Sequence, residues 1–195
     1  MNTLSGCGRF AAVDAHYPAT GGARAAAVVA GDIRYGTVLG EHVVTLDTVA
    51  GYQPGRFAAR ELPALRAVLA AAGPVDLLVV DGYVDLDPAG RPGLGAHAYA
   101  EFAVPVIGVA KSAFRTATHA VPVLRGRAVR PLYVTSAGLS PTEAAELVRG
   151  MAGGYRLPDA LRRADALARG AAPDGLRARP GQARPGTRSS GGAAR

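Results

Sequence analysis

Val75-Asp76-Leu77-Leu78-Val79-Val80-Asp81-Gly82 is the stretch on which the fold turns. Four apolar residues run together and end in a carboxylate and a glycine. An unbroken apolar run of this length, bounded by turn residues, predicts a strand buried on both faces, as in a parallel sheet. Asp81 then stands at the carboxyl end of the strand, where open α/β sheets hold their ligands. A lone acid there also suits a helix or turn cap. Burying it without a partner is costly, so its neighbours decide between the two.

Upstream, residues 10–14 (Phe-Ala-Ala-Val-Asp) predict a first strand that again ends in an acid. Residues 25–30 and 37–46 predict two more, joined by short glycine-containing links into an antiparallel meander. Tyr52-Gln53-Pro54-Gly55 predicts a turn. Within 56–72, Phe57, Leu62, Leu65, Val68 and Leu69 share one face of a helix, in which Pro63 implies a kink or a late start.

Downstream, 85–95 reads as a loop, 94–102 as a helix and 105–110 as a buried strand ending at Lys111, so that strand, helix and strand form a right-handed crossover. Residues 129–135 add a strand. Ser140-Pro141-Thr142-Glu143 carries the cap, the first-position proline and the third-position acid of a helix start. A last helix spans 158–169. From 170 on, Gly, Pro, Arg and Ser dominate without periodicity. The expected organisation is one α/β domain over 1–169, a mixed sheet with flanking helices, followed by a disordered Arg/Gly/Pro-rich tail over 170–195.

A chain of 195 residues, 49% apolar, suffices for one domain with a sizeable core. No apolar run approaches the roughly 20 residues that span a bilayer, and the first ten residues lack the pattern of a signal peptide. The single cysteine, Cys7, excludes an internal disulfide and a multi-cysteine zinc site, and fits a reducing cytoplasm. Net charge is +7, but residues 171–195 hold five arginines against one aspartate. A nucleic-acid partner therefore cannot be argued from net charge. Lys111 is the one lysine among 22 basic residues, which points to a place where a compact ammonium is wanted.

If the strands ending in Asp14 and Asp81 are parallel neighbours, both carboxylates face one crevice, and Glu61 can reach it from the intervening helix. Three close carboxylates repel one another unless a cation sits between them. With only oxygen ligands, that cation is hard: Mg²⁺, with Mn²⁺ as substitute. Magnesium so held favours phosphodiester chemistry, and the strand–helix–strand arrangement of acids resembles that of ribonuclease H-like nucleases.

The succession of motifs resembles the endonuclease V family. Residues 12–17 (Ala-Val-Asp-Ala-His-Tyr) are similar to its first metal strand, and residues 51–55 (Gly-Tyr-Gln-Pro-Gly) to its wedge motif. Residues 57–63, ending in Arg60-Glu61-Leu62-Pro63, are similar to its acid-bearing segment, and 76–82 to its second metal strand. Further blocks match at 93–97, at 106–112 (Val-Ile-Gly-Val-Ala-Lys-Ser) and at Tyr155-Arg156-Leu157-Pro158. The resemblance covers about residues 10–168 in the family's order. It implies a ribonuclease H-like fold and cleavage of the second phosphodiester 3′ to a deaminated adenine, initiating repair.

By the same resemblance Asp14, Glu61 and Asp81 hold magnesium, and Lys111 steadies the scissile phosphate. Tyr52, with Pro54 and Gly55, wedges into the gap left by the extruded base. Gly82 and Gly93 line the base pocket. His97 joins them or merely packs. The expected partner is inosine-containing DNA, with RNA open because wedge and pocket read a base and not the 2′-hydroxyl. A monomer is expected. Three family histidines are absent. Asp165 stands where the last helix would carry one, 83–87 reads Tyr-Val-Asp-Leu-Asp in place of a glycine-histidine-rich loop, and 136–139 reads Ser-Ala-Gly-Leu. Asp165 either adds a fourth carboxylate or pairs with Arg162 or Arg169 on the helix surface. The alternatives to the inosine nuclease are a weakly active or inactive nucleic-acid-binding member of the fold and a structure-specific nuclease.

Overall fold

A computed structural model describes residues 7–49 and 57–172. The chain opens with the meander: β1 (Cys7–His16), β2 (Ala23–Asp32) and β3 (Val38–Leu46) pair antiparallel in sequence order. The β2–β3 turn is closed by Asp32, whose carboxylate accepts the backbone N–H groups of Arg34, Gly36 and Thr37. Helix α1 (Phe57–Ala72) carries the chain back across the sheet, so that β4 (Leu77–Asp81) pairs parallel with β1. Helix α2 (Leu94–Phe102) repeats the move, and β5 (Val106–Ala110) pairs parallel with β4. The edge is completed by β6 (Val121–Val123) and β7 (Leu132–Ala137), both antiparallel, in the order β3-β2-β1-β4-β5-β7-β6. Helices α3 (Pro141–Gly150) and α4 (Asp159–Ala168) are the last elements among the described residues.

Two cores follow from the period of two along each strand. Phe10, Ala12, Leu77, Val79, Ile107 and Val109 pack against α3 and α4 through Val148, Leu161, Ala164 and Leu167. Ala11, Val13, Leu78, Val80 and Val106 pack on the opposite face against Leu65, Val68 and Ala98 of α1 and α2. Burial on both faces is why β4 and β5 read as unbroken apolar runs.

The α/β mixed sheet with flanking helices is the architecture expected from the sequence. Ser140 caps α3 as expected, its Oγ accepting the Glu143 N–H at 3.2 Å. Three details differ. β1 runs past Asp14 to His16, because β2 goes on pairing with it after β4 has stopped. The last long strand starts at Leu132, and Val129 is 91% exposed. The short β6 was not foreseen. Pro122 interrupts its pattern, and a proline is tolerated there only because β6 is an edge strand. Among the described residues no helix is long and apolar enough to cross a membrane.

Candidate active site

Register assembles the site. Val13 of β1 lies opposite Val80 of β4, so the next residue on each strand is Asp14 and Asp81. Both follow the parity of Ala12 and Val79 and face the α3/α4 side. On the other flank of β4, Asp81 lies opposite Val109 of β5. Lys111, two residues further and of the same parity, reaches back, and its Nζ lies 2.5 Å from Asp81 Oδ2. Burial alone would lower the Lys111 pKa, but the hydrogen bond and charge of Asp81, with the charges of Asp14 and Asp165, outweigh it and raise the pKa. Lys111 is therefore held as an ammonium.

Asp14 accepts the Ala15 N–H on Oδ1 at 2.8 Å, which leaves Oδ2 for the cleft. Burial first, and the Asp81 charge second, push its carboxyl up to about 7, against the Ala15 N–H and Lys111. Glu61, in the second turn of α1 and buried, is pushed up to about 8 by burial and then by Asp14 and Asp81, with Arg60 opposing. Three carboxylates from two strands and a helix thus act on one another electrostatically.

Two residues that the sequence reading did not single out for the site join β1 to α1 beside Glu61. Tyr17 donates its hydroxyl to the Arg60 carbonyl at 3.2 Å, and the Arg60 guanidinium lies 4.2 Å from the Tyr17 ring centroid. Burial, then the charge of Glu61, raises the Tyr17 pKa against Arg60, so the phenol stays neutral and donates. The signal was their place in the motifs, three residues after Asp14 and one before Glu61. Lys111 has its own brace. Arg156 of the Tyr-Arg-Leu-Pro run donates to the Lys111 carbonyl and, at 2.7 Å, to that of Pro131. Arg125, buried, in turn fastens the Met151–Arg156 loop through the carbonyls of Met151, Gly153 and Tyr155.

Asp165 of α4 bonds Arg169 one turn on, Nε to Oδ1 at 3.0 Å, while Arg162 turns instead to Asp159 and the Tyr155 ring. The charge of Asp165 still acts on Asp14 and Lys111. It is an ion-paired helix acid at the border of the cluster. Among the described residues, no three His, Cys, Asp or Glu side chains are drawn together closely enough to hold an ion as they stand. Like charges repel, Lys111 takes Asp81 and Arg169 takes Asp165. The donor set nevertheless fits a hard divalent cation. It offers carboxylate oxygens, and two carboxyls held near 7 and 8 mark a place short of positive charge.

The glycines part company. Gly82 has φ of +139°, donates to the Val109 carbonyl at 3.1 Å, and has open space where a Cβ would stand. It borders the cleft beside Asp81. A Cβ on Gly93 would meet the carbonyl oxygens of Tyr83 at 2.5 Å and Val84 at 2.8 Å. That glycine lets the start of α2 press on the loop after β4. His97 is half-buried in the first turn of α2. Tyr52, Pro54 and Gly55 lie outside the described residues, as do residues 173–195 of the expected tail.

The family model described as Endonuclease V matches residues 4–166. An endonuclease V from Azotobacter vinelandii is 36% identical, across 83% of this chain and 82% of its own. The crystal structure of the Streptomyces avermitilis endonuclease V superposes with a TM-score of 0.71 at 29% identity, covering 84% of this chain and 81% of that one. The Ciona intestinalis endonuclease V, in complex with a 23mer DNA containing an inosine followed by a ribo-adenosine, shares the fold with a TM-score of 0.72 at 19% identity and 86% coverage of each chain.

Proposed function

This chain belongs to the endonuclease V family, nucleases that hydrolyse phosphodiester bonds, and from that premise we propose that it nicks a strand at the second phosphodiester 3′ to a deaminated adenine and leaves the altered base in place. The observation that carries the proposal is the convergence of Asp14, Asp81 and Lys111 past the ends of three adjacent strands, with Glu61 coupled to them from α1.

Asp14, Glu61 and Asp81 would hold magnesium, with manganese as substitute. When bound, the metal supplies the positive charge that the attacking and leaving oxygens of a phosphodiester demand. The chain does the rest. Lys111 carries its ammonium at the Asp81 edge, where it steadies a non-bridging phosphate oxygen. The Tyr17–Arg60 tether fastens α1, next to Glu61, to the residues just past β1. Gly82, without a side chain, allows a base edge to approach its backbone. The DNA seen with the Ciona relative supports an inosine-containing strand as substrate. RNA strands, a monomeric state and a cytoplasmic place belong to the same proposal, the last supported by the single cysteine.

A second reading, a nucleic-acid binder with little activity, draws on Asp165, held by Arg169 where the family pattern has a histidine. A nicking assay on matched inosine-containing DNA and RNA strands, with Mg²⁺ and with EDTA, separates the two. The expected result is a metal-dependent nick in the inosine strand alone. Binding without a nick at any metal concentration supports the binder, and equal cutting of undamaged flaps supports a structure-specific nuclease.

A further inference from the structure

Beside the acid cluster stands a second construction that the cleavage chemistry does not use. Tyr83 follows Asp81 by two residues, and Phe114 follows Lys111 by three, so both lie within roughly 10 Å of chain from the acid–lysine pair. Their rings lie 6.1 Å apart at 47°. The Tyr83 hydroxyl donates to the Ser112 carbonyl at 2.8 Å and accepts the Phe114 N–H at 3.0 Å. One phenol therefore fastens the loop on both sides of Ala113. Thr116 donates to the Leu86 carbonyl and so locks the same loop to the one after β4. Arg91 adds a cation, its Cζ 5.8 Å from the Phe114 ring centroid, and is itself held by Asp87.

Despite this fastening, Phe114 is 43% exposed. A single exposed aromatic needs no explanation. One whose backbone is clamped by a tyrosine hydroxyl, backed by a guanidinium and set beside a phosphodiester site is pre-organised to accept a flat apolar partner at low entropic cost. In a nucleic-acid strand that partner is a base, which any aromatic face can stack irrespective of sequence.

We propose that Phe114, supported by Tyr83 and Arg91, is a stacking platform for an unpaired base flanking the nick. The proposal rests on the nuclease reading for its substrate, but its test does not depend on cutting. The full chain, in EDTA, is titrated with labelled inosine-containing single strands in which an abasic residue is walked through the positions on either side of the inosine. At one position, loss of the base weakens binding to the parent by roughly five- to hundredfold, the range of one base–aromatic stack. Phe114→Ala causes a matching loss on the intact strand and no further loss at that position, and Phe114→Leu, which keeps apolar bulk without a π face, behaves alike. Phe114→Trp tightens binding. Additive losses at every position, or an unchanged affinity for Phe114→Ala, overturn the platform. Failure to prefer inosine strands over adenine strands, by contrast, overturns the substrate reading and leaves the stacking coupling to stand or fall by its own measurement.

Discussion

The two ends of the β1–β4 pair are built on opposite terms. At the amino end Arg9 and Asp76 both have backbone hydrogen-bond partners. The Arg9 backbone N–H donates to Asp76 Oδ2 at 2.8 Å, and Asp76 returns its own N–H to the Arg9 carbonyl at 2.7 Å. The Arg9 guanidinium caps the carbonyls of Ala72 and Pro74 at 2.7 and 2.9 Å, just where α1 ends and leaves carbonyls unpaired. At the carboxyl end, Asp14 and Asp81 stand side by side, Glu61 is buried behind them, and two of the three carboxyls are pushed up to about 7 and 8. The same two strands thus carry a stabilising clamp at one end and, at the other, a concentration of acid that Lys111 only partly compensates. Such crowding costs stability and persists where a function uses it.

The largest effect expected from breaking this contrast is on catalysis. Asp81→Asn or Asp14→Asn removes a ligand charge and lowers the rate of nicking by about a thousandfold or more, while the melting temperature holds or rises. Full activity in either variant removes the acids from the chemistry.

Next comes pH. Burial and repulsion raise Asp14 and Glu61, so the folded chain favours their protonated forms. Their contribution to stability is whole below about pH 4, the range of an unfolded carboxyl, and is lost as pH rises through about 7 and 8. Without divalent cations, denaturant titrations should show a loss on the order of 2–4 kcal/mol between pH 5 and pH 9. Glu61→Gln should flatten the curve, and Mg²⁺ should restore stability at pH 8 more than at pH 6. A flat parent curve erases the distinction between the two ends.

Arg9→Ala tests the other end. It should cost about 1–2 kcal/mol of stability through the lost caps, with kcat unchanged. A fall in kcat would mean that the two ends are coupled. At the border of the cluster, Asp165→Asn should raise the Mg²⁺ needed for half-maximal rate by up to about tenfold, the scale of an outer partner, whereas Asp165→His retains cleavage at lower metal. If Asp165→Ala matches the parent at every metal concentration, the Arg169 pair is all that Asp165 does. The smallest effect is expected from cutting the chain after Ala172. The carbonyl of Ala172 accepts Arg163 and the N–H of Ala171 bonds the Ala166 carbonyl, so folding should be unchanged and only nonspecific nucleic-acid affinity at low salt should fall. Loss of folding would move the domain boundary into the tail.

Much of the fold was readable because its strands are buried on both faces, so that β4 and β5 stand out as unbroken apolar runs, and because Ser140 and Pro141 announce α3 chemically. β6 was not readable, since three residues around Pro122 carry no period, and only pairing with β7 makes them a strand. Asp14, Asp81 and Lys111, on which the proposed function rests, stand out because each follows an apolar run. What surrounds Gly93 was not readable. Sequence marks a glycine but not what presses on it, and here two carbonyls of the loop after β4 do.

By itself, the sequence determined the order of elements and which strands end in charge, because local periodicity and composition settle those within a few residues. Only the tertiary structure decided that Val13 meets Val80, and hence that Asp14 stands beside Asp81 on one face. It alone gave Asp81 to Lys111 and Tyr17 to Arg60. These choices depend on strand register and parity between segments far apart in the chain. A slip of one residue would turn each acid to the opposite side of the sheet.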